Sequence, residues 1–122
     1  MNKGRKITSG KYHANRKKKK YERKGIVNKT SVGETKKKTK RGKGGHKKTI
    51  ILRTNTANIK SGNKVQKTEI KNVVETPQNR FLARQNRLMK GSIIETSLGK
   101  AKITNRPSQE GCVNAVLIKD KE

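Results

Sequence analysis

The sequence contains no tryptophan, one cysteine, two prolines and three aromatic residues in 122. Each scarcity removes a class of protein. With only Tyr12, Tyr21 and Phe81, the chain cannot build the stacking platforms on which single-strand binders and RNA-recognition sheets seat their bases. A lone Cys112 excludes an internal disulfide and fits a reducing cytoplasm; in its apolar surroundings it reads as a buried structural thiol. Together with His13 and His46 it cannot complete a four-ligand Cys/His zinc site. Acids are scarce too, and Glu69, Glu75, Glu95 and Glu110 are scattered as solvated strand positions would be, not clustered around magnesium. No metal and no cofactor is expected. No apolar run approaches the roughly 20 residues of a membrane span. The basic start Met1-Asn2-Lys3-Gly4-Arg5-Lys6 is followed by no apolar core of a secretory signal. The basic blocks also lack the regular Leu, Phe or Trp face that an interfacial helix would bury, so no membrane partner is expected.

What the sequence has is positive charge: 34 Lys and Arg against 8 Asp and Glu, a net of +26. A compact chain carrying that charge repels itself, so the partner must supply negative charge, and nucleic acid offers the densest regular array of it. The charge is uneven. Residues 1–48 hold 20 Lys/Arg and 2 acids, whereas residues 49–122 hold 14 and 6. Apolar residues run the other way, 8 in the first stretch and 25 in the second. The chain therefore reads as a basic extension over residues 1–44 and a β-barrel-like domain over residues 45–122. The extension has too little apolar surface to offset its ordering entropy and is expected to be disordered without RNA.

In the extension, lysine blocks alternate with glycines. Adjacent lysines repel, which disfavours a helix or strand made of them alone, and glycine lets backbone approach a surface closely. A short helix through Ala14 to Lys24 is expected only where phosphates neutralise the lysines. The cations expected to meet RNA here are Lys3, Arg5, Lys6, Lys11, Arg16, Lys17, Lys18, Lys19, Lys20, Arg23, Lys24, Lys36, Lys37, Lys38, Lys40, Arg41, Lys43, Lys47 and Lys48, with His46 beside them. Tyr12 and His13 stack on a base or ribose, or else Tyr12 packs on its own domain. Folded RNA suits such an extension better than DNA does, because no recognition helix and no zinc finger is present and the extension must read phosphate geometry and shape. Neutralising Z phosphates makes affinity fall with salt at a log–log slope of about −0.7Z to −0.9Z.

Lys40-Arg41-Gly42-Lys43-Gly44-Gly45-His46-Lys47-Lys48-Thr49 resembles a phosphate-binding loop but fails its test. Lys47 stands where the second glycine of Gly-x4-Gly-Lys-Ser/Thr belongs, and a strand follows where a helix should. A glycine-rich hinge whose N–H groups and cations meet phosphate is the better account. His13 and His46 lie in basic sequence with no rigid partner to orient a general base. The chain is therefore not read as an enzyme.

The second part reads as mostly β, a small closed or partly open antiparallel barrel, or a sandwich. Thr49 to Thr54 is β-branched, Ser61-Gly62-Asn63 is a turn, and Thr68, Ile70, Asn72 and Val74 are expected on one strand face. Pro77-Gln78-Asn79 ends that strand. Phe81 to Met89 is a short helical turn or a loop that packs Phe81, Leu82 and Leu88 on the core. Ser92 to Thr96, Lys100 to Thr104 and Cys112 to Ile118 complete the set, the last expected to be buried on both faces. Arg53, Arg80, Arg84, Arg87 and Arg106 are either phosphate forks or surface arginines paired with Glu75 or Glu95; Arg80, Arg84 and Arg87 line up only if their stretch is helical.

Several stretches together resemble one family. They are Gly4-Arg5-Lys6, Ser9-Gly10-Lys11-Tyr12-His13, the Lys-Gly-Gly segment ending in Leu52-Arg53, Lys90-Gly91-Ser92-Ile93-Ile94-Glu95-Thr96, Gly99 through Pro107, and Gly111 through Leu117. The chain is similar to small-subunit ribosomal protein eight of the eukaryotic–archaeal type, which is unrelated to the bacterial protein eight, and its length is similar to the archaeal version. The resemblance implies a β-barrel-like core and an N-terminal extension threaded into small-subunit ribosomal RNA. It also implies neighbouring small-subunit ribosomal proteins as partners, a cytoplasmic ribonucleoprotein, no catalytic residues and no required metal. No homo-oligomer is expected. At the hinge the family usually shows Arg-Gly-Gly-Asn where this chain has Lys43-Gly44-Gly45-His46, so a base contact by that Asn does not carry over. A transient assembly factor is the rival reading, and an RNA-processing enzyme a third.

Overall fold

The computed structural model describes residues 4–13, 15–23, 25 and 28–118. In chain order the strands are β1 (Ser31–Val32), β2 (Lys36–Arg41), β3 (Lys47–Thr54), β4 (Thr56–Ser61), β5 (Lys64–Glu75), β6 (Ile93–Thr96), β7 (Gly99–Ile103) and β8 (Asn114–Leu117), with a short helix α1 (Arg80–Arg84) between β5 and β6. The first three strands form a sheet in the order β1-β3-β2, and the last five close into a barrel in the order β4-β5-β6-β7-β8. The expected small barrel is present, and it is closed.

Four successive pairings in the barrel are antiparallel, and the fifth, β4 with β8, is parallel. Parity requires this: when five strands alternate in direction, the first and last point the same way, so joining them makes a parallel seam. The seam registers Asn58 with Asn114, Ile59 with Ala115 and Lys60 with Val116. The Asn58 side-chain amide donates to Asn114 Oδ1 across it at 3.2 Å. Closure leaves the barrel with no open strand edge.

Inward positions alternate with outward ones. Ala57, Ile59, Ile70, Val73, Ile94, Ala101, Ile103 and Ala115 fill the interior, with Ile51, Leu88 and Val113 joining the same core. A five-stranded barrel is narrow, and the three alanines make room for the isoleucines. Burying each isoleucine contributes roughly 1.5–3 kcal/mol.

Several expectations are corrected here. Val74 does not share the face of Ile70; it is 48% exposed, and Val73 is buried instead. The register slips between Ile70 and Asn72 and again between Val73 and Glu75. Each bulge inserts one residue and inverts the alternation beyond it. Phe81 is 61% exposed and does not pack on the core, whereas Leu88 is buried. In α1, consecutive residues point about 100° apart, so with Ala83 turned to the core Phe81 faces outward, where the Arg84 guanidinium lies 5.8 Å from its ring centre. Asn79 Oδ1 caps this helix by accepting from the Phe81 N–H at 2.9 Å. The final strand is buried on one face only. Ala115 is inside and Val116 outside, and Cys112 is half-buried, because a barrel strand has only one interior face. Of the helix through Ala14 to Lys24, the described residues show one 3₁₀ turn, Lys20–Glu22. Ala14 and Lys24 lie outside the described residues.

Candidate nucleic-acid interface

The lysine block 36–41 is a strand, contrary to the expectation that repelling lysines would avoid one. Its support comes from β3, which it pairs in antiparallel fashion from Lys36↔Arg53 to Arg41↔Lys47. Ladder hydrogen bonds use backbone groups and are indifferent to side-chain charge, and alternation spaces like charges on one face about 7 Å apart. The two strands meet at a tight loop in which Gly44 (φ 67°) and Gly45 (φ 80°) take left-handed conformations. There the Gly42 N–H donates to the His46 carbonyl at 2.6 Å, so that hinge N–H is already engaged. Lys43 and His46 stand exposed on the loop.

Every residue of β2 is exposed, and so are Lys47 and Lys48 of β3. Three of the six registered pairs set cation against cation: Lys36↔Arg53, Lys40↔Lys48 and Arg41↔Lys47. Like charges directly opposite each other in a sheet are unfavourable by about 0.2–1 kcal/mol per pair. Side-chain alternation puts Lys37, Arg41, Lys47 and Arg53 on one face and Lys38, Lys40 and Lys48 on the other. The strand thus presents cations on both faces.

The residues that lead into this sheet through β1 are stitched to the body of the protein. Thr30 Oγ1 donates to the Ile51 carbonyl at 2.9 Å, and the Leu88 N–H donates to the Thr30 carbonyl at 2.9 Å. The Val32 N–H donates to the Asn86 carbonyl at 3.0 Å.

Further toward the N-terminus the described residues are exposed. Arg5 and Lys11 bridge across a small loop turned by Ser9 (φ 63°), which gathers Arg5, Lys6 and Lys11. Tyr12 is 67% exposed and carries the Lys6 ammonium 5.7 Å from its ring centre; it does not pack on the barrel. His13, Lys17, Lys18, Lys19, Lys20 and Arg23 are exposed, while Lys3 and Lys24 lie outside the described residues. Arg16 is engaged: its guanidinium forks onto Glu22 at 2.8 and 3.3 Å. That fork, with the Lys19 N–H donating at 3.0 Å, holds the Glu22 carboxyl below its ordinary pKa. Among the described residues this is the one ion pair, so the pairing of domain arginines with Glu75 or Glu95 is not found there.

Arg80 and Arg84, one turn apart on α1, border an open polar cavity of about 520 Å³ with Asn72 and Glu75. Arg87 does not align with them; it follows the helix and turns its Nη1 to the Lys29 carbonyl at 3.1 Å. Arg106 joins Lys48 and Lys90 around a second cleft of about 480 Å³, where Lys48 Nζ donates to Gln109 Oε1 at 3.4 Å. Lys90 was not among the expected RNA contacts, because it stands apart from the lysine blocks and joins the cluster only when the chain folds. Among the described residues no group of three His, Cys, Asp or Glu could hold a metal ion, and no helix is long and apolar enough to cross a membrane.

These features define a class, the small basic β-barrel proteins that present a cationic surface. The chain belongs to the ribosomal protein S8e family, whose sequence profile matches residues 1–118. It is 47% identical over 116 residues to the small ribosomal subunit protein eS8 of Methanocorpusculum labreanum, covering 93% of each chain. It is 44% identical over 114 residues to the protein of that name from Haloarcula marismortui, again covering 93% of each. To that of Methanococcus aeolicus it is 45% identical over 119 residues, which cover 95% of this chain and 93% of the relative. The resemblance read from the sequence is confirmed, and the family is one of ribosomal proteins, not of enzymes.

Proposed function

We propose that this chain is a structural constituent of the small ribosomal subunit, working in translation in the cytoplasm, and that it holds ribosomal RNA through phosphate and shape contacts. The observation that carries this reading is the cation-on-cation register of β2 and β3. The repulsion in such a register is relieved where a polyanion lies against it. The family and the names of the relatives point to the ribosome as the source of that polyanion. In this reading the barrel, within residues 45–122, docks the protein, and the extension over residues 1–44 takes its final shape on RNA, with folding coupled to binding. Arg5, Lys6, Lys11 and the Lys17–Lys20 block act as phosphate contacts alongside β2, and Arg53, Arg80, Arg84 and Arg106 do so from the domain. Neighbouring small-subunit proteins are further partners, and the protein acts as a single copy.

The test is the salt dependence of full-chain binding to small-subunit ribosomal RNA, combined with a salt wash of mature subunits. Ten phosphate contacts give a log–log slope of about −7 to −9, and a resident protein stays with mature, translating particles after a moderate wash. A slope near zero, or presence in precursor particles alone, overturns the reading; the second outcome would mark a transient assembly factor.

A further inference from the structure

Next to the Lys48–Lys90–Arg106 cleft lies a smaller cavity of about 190 Å³, walled by the segment before β1, the turn after β5, the stretch leading into β6 and the loop after β7. Its character is different. Leu82, Leu88, Met89 and Pro107 give it an apolar floor. Lys29, Arg87, Lys90 and Arg106 stand around it, and no carboxylate among the described residues lines it. The Gln78 amide, fixed by donating to the Lys90 carbonyl at 2.7 Å, closes one wall. In another wall Arg87 Nε is buried and has no hydrogen-bond partner among the described residues, although the same guanidinium donates from Nη1 to Lys29.

From this arrangement we propose that the cavity receives one unstacked nucleobase of the bound RNA, with an adjoining phosphate held by Lys90 and Arg106. The proposal rests on the RNA-binding reading and adds a specific seat to it. The size fits, because a space below the ~300 Å³ of ordinary ligand pockets still takes one planar ring system. The chemistry fits in two parts. The apolar floor covers the faces of the ring. The cations at the mouth match the charge that every nucleotide carries beside its base. A hydrophobic side chain from a neighbouring protein would fill the floor but would leave the four cations around it without a counterpart. The seat also supplies base contact to a chain whose few aromatics offer no stacking platform.

Methyl NMR of the full chain tests the proposal, with 5′-nucleoside monophosphates, ribose 5-phosphate and N-acetyl-leucine amide as probes at about millimolar concentration. At least one nucleotide is expected to shift the Leu82, Leu88 and Met89 methyls in a saturable way through its ring current, while ribose 5-phosphate leaves them in place. Ser108→Trp, which fills the cavity from its rim, should abolish the shift with the melting temperature retained. Arg106→Gln, at an exposed position, should weaken nucleotide binding about tenfold, the loss of one charge-assisted bond. Equal shifts with ribose 5-phosphate, no methyl response, or a response to N-acetyl-leucine amide alone overturns the proposal; the last would assign the cavity to a protein side chain. If the methyls stay silent while the full chain still binds ribosomal RNA with a steep salt slope, the seat fails and the function stands. If RNA binding is absent as well, both fail.

Discussion

The barrel and the β2–β3 hairpin are both built of paired strands, yet different forces hold them. The barrel strands place one side chain in two into a common interior, and Ile59 and Ile94 within it have no exposed surface. Every residue of β2 is exposed on both faces; its order derives from a backbone ladder to β3. That strand is itself divided, with Lys47, Lys48 and Thr49 exposed and Ile50 and Ile51 buried. The difference teaches that a sheet extended beyond a packed core can carry dense charge at modest cost, because ladder bonds do not need the side chains. Stability is concentrated in one region and cationic surface in the other.

The strongest way to sharpen that contrast is Ile59→Ala. Removing a wholly buried side chain from the narrow interior should destabilise the protein by about 2–5 kcal/mol, read as a lowered denaturation midpoint. Under conditions where the variant remains folded, its salt slope with RNA should match that of the parent. The converse replaces Lys37, Lys38, Lys40 and Arg41 with threonine, a good strand former. Stability should hold or rise as repulsion falls, while the log–log salt slope becomes shallower by about 3, at roughly 0.7 per lost phosphate contact. A drop in melting temperature equal to that of Ile59→Ala would break the comparison by showing that β2 carries packing as well as charge.

The smallest effect belongs to the exposed turn at Lys20–Glu22. Arg16 and the Lys19 N–H depress the Glu22 pKa. A carboxyl lowered in the folded state contributes at neutral pH and loses its contribution only as the pH falls through that lowered value. An NMR titration of Glu22 should show a midpoint below that of an ordinary glutamate, and Arg16→Gln should move it back toward the ordinary range.

Much of the fold is legible in the residues. β-Branched runs mark β3 and β6, the alternation Lys100-Ala101-Lys102-Ile103 marks β7, and Ser61-Gly62-Asn63 marks the turn between β4 and β5, where Gly62 has φ 59°. What escapes local reading is non-local. The bulges of β5 carry no glycine or proline to announce them, so Val73 and Val74 exchange faces unseen. Strand β2 has the composition of a tail and becomes a strand only through a partner it meets across a loop. The cation clusters were half visible. Lysine blocks identify themselves by composition, but Lys48, Lys90 and Arg106 come from three separate stretches and form a group only in the fold.

The parallel seam between β4 and β8 governs when the domain can become complete. It joins residues 58–60 to residues 114–116, the earliest and latest strands of the barrel, so hairpins can form as synthesis proceeds but the ring cannot shut until its last segment has been made. Until then β4 and β7 each offer an open row of hydrogen-bonding groups, and the arrival of one short segment covers both rows at once. Biogenesis of this protein is therefore timed by its final strand.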